Sequence, residues 1–136
     1  MEEVKPYFKF GLSIDCVIFG YDKGALKILL IKRKEAPFFN TWALPGNLVN
    51  PDEELESAAV RILKEITGLE SIYLEQVRTF GEVNRHPIGR VITTAYYSLI
   101  NINNFNLLPG SLAERAEWVD IKHVKQLAFD HNNIFN

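Results

Sequence analysis

Arg61 and Glu65 stand at an i, i+4 interval that lets one helix bring a guanidinium and a carboxylate together, and Glu53 is a second carboxylate ahead of them. Positions 62, 65 and 66 are spaced i, i+3, i+4, so a helix places them on one face within reach of a single ion. Three carboxylates there would hold a hard, oxygen-seeking cation such as Mg²⁺. The residues present are Ile62, Glu65 and Ile66. β-Branched hydrocarbon neither coordinates a cation nor polarises water, so no metal site is expected there. Glu53 and Arg61 also have plainer readings. Glu53 can close a capping box across Asn50-Pro51-Asp52-Glu53, and Arg61 can share an i, i+4 salt bridge with Glu65.

Other side chains have the chemistry to hold a ligand. Arg85 and Arg90 bracket His86-Pro87-Ile88-Gly89, and a guanidinium offers a planar fork of donors to anionic or hydroxyl-rich groups. Surface ion pairing is the alternative. Arg33 closes an apolar run beside Lys32 and Lys34, either as a ligand contact or as solvated strand-end charge. Phe39 and Trp42, with Phe38, could stack on a base or on the apolar face of a sugar, or could pack in the core. Asn47 brings both a donor and an acceptor. Glu82 is a further carboxylate outside the helix. His86, His123 and His131 have no metal-ligand spacing and read as structural or solvent-exposed.

These residues need elements to position them. Phe10 to Phe19 alternates with period two, Tyr21-Asp22-Lys23-Gly24 has turn chemistry, and Leu26 to Lys32 is a second apolar run, which predicts a hairpin. Residues 35–40 form a loop, Thr41 to Leu44 a short strand, and Asn47 to Pro51 a loop into a helix. Asn50 is the expected N-cap and Pro51 the first helical residue. Leu55, Ala58, Ala59, Ile62, Leu63 and Ile66 make the apolar stripe and Gly68 the stop. Further strands are expected at Ile72–Phe80, Arg90–Ile100 and Glu117–Val119, with a polar loop from Glu82 to Gly89. A second helix is expected from about Asp120 to Asp130-His131. Strands around two helices, without a βαβ repeat, predict an α/β (α+β) fold in which helices sandwich a mixed sheet.

The chain has 136 residues, 47% of them hydrophobic, and a net charge of -2. That size suits one domain over residues 1–136. The charge argues against nucleic-acid contact by this domain itself. No apolar run approaches a membrane span and Met1-Glu2-Glu3 lacks signal-peptide features, so a soluble, cytoplasmic protein without membrane contact is expected. Cys16, the only cysteine, continues the alternation Leu12, Ile14, Cys16, Ile18 and reads as core.

The segment from Leu44 to Leu69 resembles the Nudix box, G-x5-E-x7-R-E-U-x-E-E-x-G-U with U apolar. Pro45-Gly46 and Thr67-Gly68-Leu69 set the register. Asn47 then stands at the box's first glycine, Glu53 at its first glutamate, Arg61 at its arginine and Glu65 at the first of its paired glutamates. Ile62 and Ile66 replace the other two. Glu75 to Tyr97 is similar to a segment shared by ADP-ribose-type Nudix hydrolases and Nudix-related bacterial transcriptional regulators, in which R-D-P-R-G-R-V is the usual form. Arg85, Pro87, Gly89 and Arg90 match it, while His86 and Ile88 depart. Trp118-Val-Asp-Ile and Gln126-Leu-Ala-Phe-Asp-His131 resemble the closing elements of the same regulators.

The resemblance implies a Nudix fold and a domain whose catalytic residues survive only as the remnants Glu53 and Glu65. It further implies a sugar or ADP-ribose-like effector held by Arg33, Phe39, Trp42, Asn47, Glu65, Glu82, Arg85 and Arg90, without a cofactor. A homodimer is implied, as is DNA contact through a winged-helix domain beyond Asn136. The alternative is a hydrolase of ADP-ribose or a related nucleoside diphosphate derivative, which would require Mg²⁺ with Glu53, Glu65 and Glu82 as its carboxylates.

Overall fold

The computed structural model describes residues 9–110 and 112–135. The first apolar run forms β1 (Gly11–Asp22) and the second forms β2 (Ala25–Arg33). Asp22 pairs with Ala25 across Lys23-Gly24, both of which have positive φ, as a tight two-residue hairpin requires. β3 (Trp42–Ala43) and β4 (Gly46–Leu48) follow, then α1 (Leu55–Thr67), β5 (Glu75–Phe80), β6 (Val91–Asn101), β7 (Ala113–Asp120) and α2 (His131–Phe135). The seven strands make one mixed sheet in the order β3-β2-β1-β6-β5, with β4 added to β1 and β7 to β2. β1 is the central element. It runs parallel to β6 over its whole length, while its other edge bonds β2 at Phe19–Asp22 and β4 at Ser13–Asp15.

Both faces of β1 are covered. Ile14, Cys16 and Ile18 face a core completed by Ala58, Ala59, Ile62, Leu63 and Ile66 of α1. Val17 faces a second core with Ile28, Leu30, Leu44, Leu127 and Ile134 on the α2 side. The sheet therefore lies between α1 and α2, as the pattern of elements predicted. Cys16 is fully buried, and burial followed by the neighbouring Asp15 charge drives its thiol pKa far upward. No helix among the described residues is long and apolar enough to cross a membrane.

Three expectations are corrected. α1 begins at Leu55, with Glu54 as an N-cap that makes no side-chain cap bond, rather than at Pro51. Asn50 and Glu53 do interact, the Asn50 N–H donating to Glu53 Oε1 over 3.0 Å, but they close a turn ahead of the helix because Arg61 holds the same carboxylate. The stretch read as a loop after Pro45 is instead β4, paired with β1. The helix expected from Asp120 is only a 3₁₀ turn over 121–123, capped by the Asp120 side chain. The chain beyond it is irregular because Asn132 satisfies it: its amide accepts from Leu127 N–H at 2.8 Å and donates to Lys125 O at 2.9 Å. The helical stop was placed correctly. Gly68 adopts φ 79° and its N–H donates to Lys64 O.

Ile62 and Ile66 are 0% and 1% exposed, so each contributes roughly 1.5–3 kcal/mol of burial. A carboxylate at position 62 would sit in hydrocarbon without a partner. Ile62→Glu is therefore expected to lower the urea midpoint severely or abolish folding; a variant as stable as the parent would show that α1 faces an open cleft.

Candidate functional site

The strand Trp42–Ala43 and the turn Leu44-Pro45 deliver Gly46 onto β1 directly above Asp15. A Cβ on Gly46 would come within 2.2 Å of Asp15 Oδ1, so only glycine fits beside this carboxylate. Asp15 is buried on the face of β1 turned away from α1. Its Oδ2 accepts from Thr93 Oγ1 at 2.7 Å and lies 3.8 Å from Arg85 Nη2. Its Oδ1 is 3.2 Å from His131 Nε2. Leu44 N–H donates to His131 Nδ1 at 3.0 Å, which places the ring proton on Nε2, aimed at Asp15. Burial alone would raise the Asp15 pKa, but His131, then Thr93 and Arg85, outweigh it and hold the carboxyl below its ordinary value.

Arg85 is buried beneath its loop and grips Asp130 with two bonds of 3.0 and 2.8 Å. A third donor reaches Val91 O at 3.3 Å. These partners lie under a cavity of about 390 Å³, whose lining includes Ser13, Asp15, Arg33, Asn47, Arg85 and His131. Phe129 walls one side, with His86 stacked on its ring at 5.0 Å and Phe38 edge-on at 4.8 Å. Burial, then the charges of Arg85 and Arg33, lower the His86 pKa. Phe38 and Phe129 both hold left-handed backbone, at φ 59° and 52°. That conformation is costly for an aromatic residue and is concentrated at binding sites. Arg33 is fixed in two ways: its Nε donates to Pro37 O at 2.8 Å and its guanidinium lies 5.0 Å from the Phe129 ring centre. Its terminal nitrogens have no hydrogen-bond partner among the described residues.

Of the ligand contacts expected from sequence, Arg33, Asn47 and Arg85 come together in this cavity. Asn47 Oδ1 accepts from Leu48 N–H, leaving its amide N–H groups for other partners. Arg85 differs from the expectation of an available fork, because Asp130, Asp15 and Val91 occupy most of its donors. Arg90 lies outside the cavity, bonded to Gly81 O at 2.8 Å and stacked against Phe10. Phe39 is 65% exposed, Trp42 packs on the second core under Arg115, and Glu82 is exposed in its loop. Asp15, Thr93, Phe129 and His131 were missed as site residues. A lone aspartate inside an otherwise apolar strand pattern was the available signal for Asp15.

The helix remnants form a separate cluster. Arg61 Nε donates to Glu53 Oε2 at 2.6 Å, Nη2 to Glu53 Oε1 at 2.9 Å and to Leu48 O at 3.1 Å, and Nη1 to Glu65 at 3.0 Å. Hydrogen bonds from Arg61 and then from Asn50 hold Glu53 at a pKa of about 2. Both carboxylates thus face an internal cation, and the other two box positions are buried isoleucine. Among the described residues no three His, Cys, Asp or Glu side chains converge to hold a metal ion. The donor set around α1 does not fit a Mg²⁺ site.

Fold and sequence together define a Nudix-type domain: a mixed sheet between two helices, in which a Pro-Gly strand feeds the helix carrying the box spacing. The sequence matches the NUDIX domain over residues 9–136, and the chain belongs to that family. It is 39% identical over 127 residues to the ADPR responsive transcriptional repressor NtrR of Acinetobacter baylyi, covering 90% of this chain and 50% of that protein. It is also 39% identical over 134 residues to the ADP-ribose pyrophosphatase of Methanocaldococcus jannaschii, covering 98% of this chain and 76% of that protein. Among solved structures, the NUDIX domain of Shewanella oneidensis NrtR complexed with ADP ribose superposes with a TM-score of 0.88. The two are 32% identical, with 97% of this chain and 89% of that one covered. The chain thus spans about half the length of the repressor and three quarters of the pyrophosphatase.

Because Asp15 has a lowered pKa in the folded protein, its contribution to stability is full above the ordinary carboxylate value of 3.8. It is lost as pH falls through the lower folded value. Urea unfolding between pH 6 and 2 is expected to show this decline. Asp15→Asn is expected to start less stable at pH 6 and to have a shallower acid slope; an unchanged slope would contradict the linkage.

Proposed function

We propose that the cavity beside Asp15 binds ADP-ribose or a related sugar-bearing metabolite, and that the domain senses this ligand rather than hydrolysing it. The observation that carries the reading is the burial of Ile62 and Ile66 where the box would present carboxylates. Hydrolysis of a pyrophosphate needs stabilisation of a developing oxyanion and an activated water. Hydrocarbon at both positions supplies neither. The cavity, by contrast, retains fixed polar groups and an aromatic wall, the usual composition of a small-molecule site. Arg33 is already immobilised by Pro37 and Phe129, so its free nitrogens can meet a phosphate with little further ordering.

The names of the similar proteins support ADP-ribose as the ligand to test first. In the full protein the domain would serve as the effector module of a transcriptional regulator, acting as a homodimer and contacting DNA through a separate winged-helix domain. Its signal would be a difference in ligand affinity between two conformations. Hydrolysis is the second reading, favoured by similarity to a pyrophosphatase along almost the whole chain. It would require Glu53, Glu65 and Glu82 to act together, although the first two are bound to Arg61 and the third is exposed in its loop.

Calorimetric titration with ADP-ribose is expected to give saturable binding without Mg²⁺, weakened about tenfold or more by Arg33→Gln, as for loss of a charge-assisted hydrogen bond. Incubation of the same protein with ADP-ribose and Mg²⁺ should release AMP and ribose 5-phosphate no faster than buffer. Release well above that background would establish the hydrolase instead.

A further inference from the structure

We infer that Asp15 is the specificity residue of the cavity, and that it accepts hydrogen bonds from the hydroxyls of a sugar ring inserted towards the cavity floor, with the ligand's anionic part directed at Arg33. This inference rests on reading the cavity as the effector site.

Asp15 and Asp130 are both carboxylates, and Arg85, the cation between them, is committed to Asp130 by two bonds while remaining 3.8 Å from Asp15. Asp15 Oδ2 accepts from Thr93 and Oδ1 faces His131 Nε2 at 3.2 Å, so the carboxylate is the anionic group of this part of the cavity lining. A phosphate placed there would meet like charge in a poorly solvated site, where such repulsion is strong. A hydrogen-bond donor would be stabilised.

The neighbouring groups decide which donor fits. An ammonium would be repelled by Arg85 beside the same carboxylate. A hydroxyl both donates and accepts. It can therefore donate to Asp15 and accept from the Ser13 hydroxyl or the free amide hydrogens of Asn47, which line the same cavity. The absence of a side chain at Gly46 leaves Oδ1 uncovered by a methyl group. Arg33 is half-buried and lines the same cavity. The lining thus offers a buried carboxylate and a more exposed guanidinium. A ligand with hydroxyls at one end and a phosphate behind them matches that polarity in one orientation only.

The test compares ADP-ribose, ADP and an ADP-ribose analogue whose terminal ring is a tetrahydrofuran without hydroxyls, titrated calorimetrically into wild-type protein and Asp15→Asn. Wild type is expected to favour ADP-ribose over the hydroxyl-free analogue by about tenfold or more, the size of a hydrogen bond to a charged group. Asp15→Asn should shrink that preference to about twofold. Equal wild-type affinity for the two compounds overturns the inference, whether or not the variant folds. A preference that survives in folded Asp15→Asn also overturns it. If ADP-ribose does not bind at all, the effector reading itself fails and this inference with it, an outcome distinct from binding without hydroxyl preference.

Discussion

Asp15 is a charged group on the central strand of the sheet, and much of the surrounding architecture exists to keep it there. A buried carboxylate without partners would cost several kcal/mol. The partners come from four separate parts of the chain: Thr93 on β6, Arg85 on the loop before it, His131 at the start of α2, and Gly46 on β4, which leaves the necessary space. Each has its own anchor. His131 is oriented by Leu44 N–H and Arg85 by Asp130. The network thereby ties the end of the chain to the strand that precedes α1, and it makes the cavity floor rigid.

The two faces of β1 have divided the work. The face with Ile14, Cys16 and Ile18 joins α1 in a dry core, and Ile62 and Ile66 belong to that core rather than to a cleft. The opposite face, with Ser13 and Asp15, opens into the polar cavity. Leu48 connects them. Its carbonyl accepts from Arg61, the hub of the Glu53 and Glu65 cluster, while the residue itself lines the cavity. In this way the inherited box residues support the entrance of α1 mechanically. Arg61 bridges the two carboxylates and, through the Leu48 carbonyl, the end of β4 that carries Asn47.

Much of the fold was legible from pattern. The hairpin, the stripe of α1 and its stop at Gly68 follow from local rules of periodicity and left-handed backbone, which depend on near neighbours in the chain. The same rules failed beyond Asp120. There the backbone is satisfied by Asn132 rather than by helical bonds, and an apolar spacing that could have been a helix is distributed between the second core and the cavity wall. β4 was hidden because three residues carry too little pattern to distinguish a strand from a loop. Arg61 and Glu65 could be paired from spacing alone, since i, i+4 contacts are local. Glu53 completes that cluster from outside the helix.

The sequence by itself determined that the side chains at 62 and 66 carry no oxygen with which to coordinate a cation, whatever surrounds them. It also determined the mixed-sheet class and the family resemblance. Only the tertiary structure decided which polar residues share a cavity. Asp15, Arg85 and His131 are far apart in the chain, and nothing in their local spacing links them. The parallel pairing of β1 with β6 and the bonds that tie Ala128 to Trp42 and His131 to Leu44 bring them together. A buried charge can be recognised in a sequence as an anomaly, but its role depends on which partners the fold places within hydrogen-bonding distance.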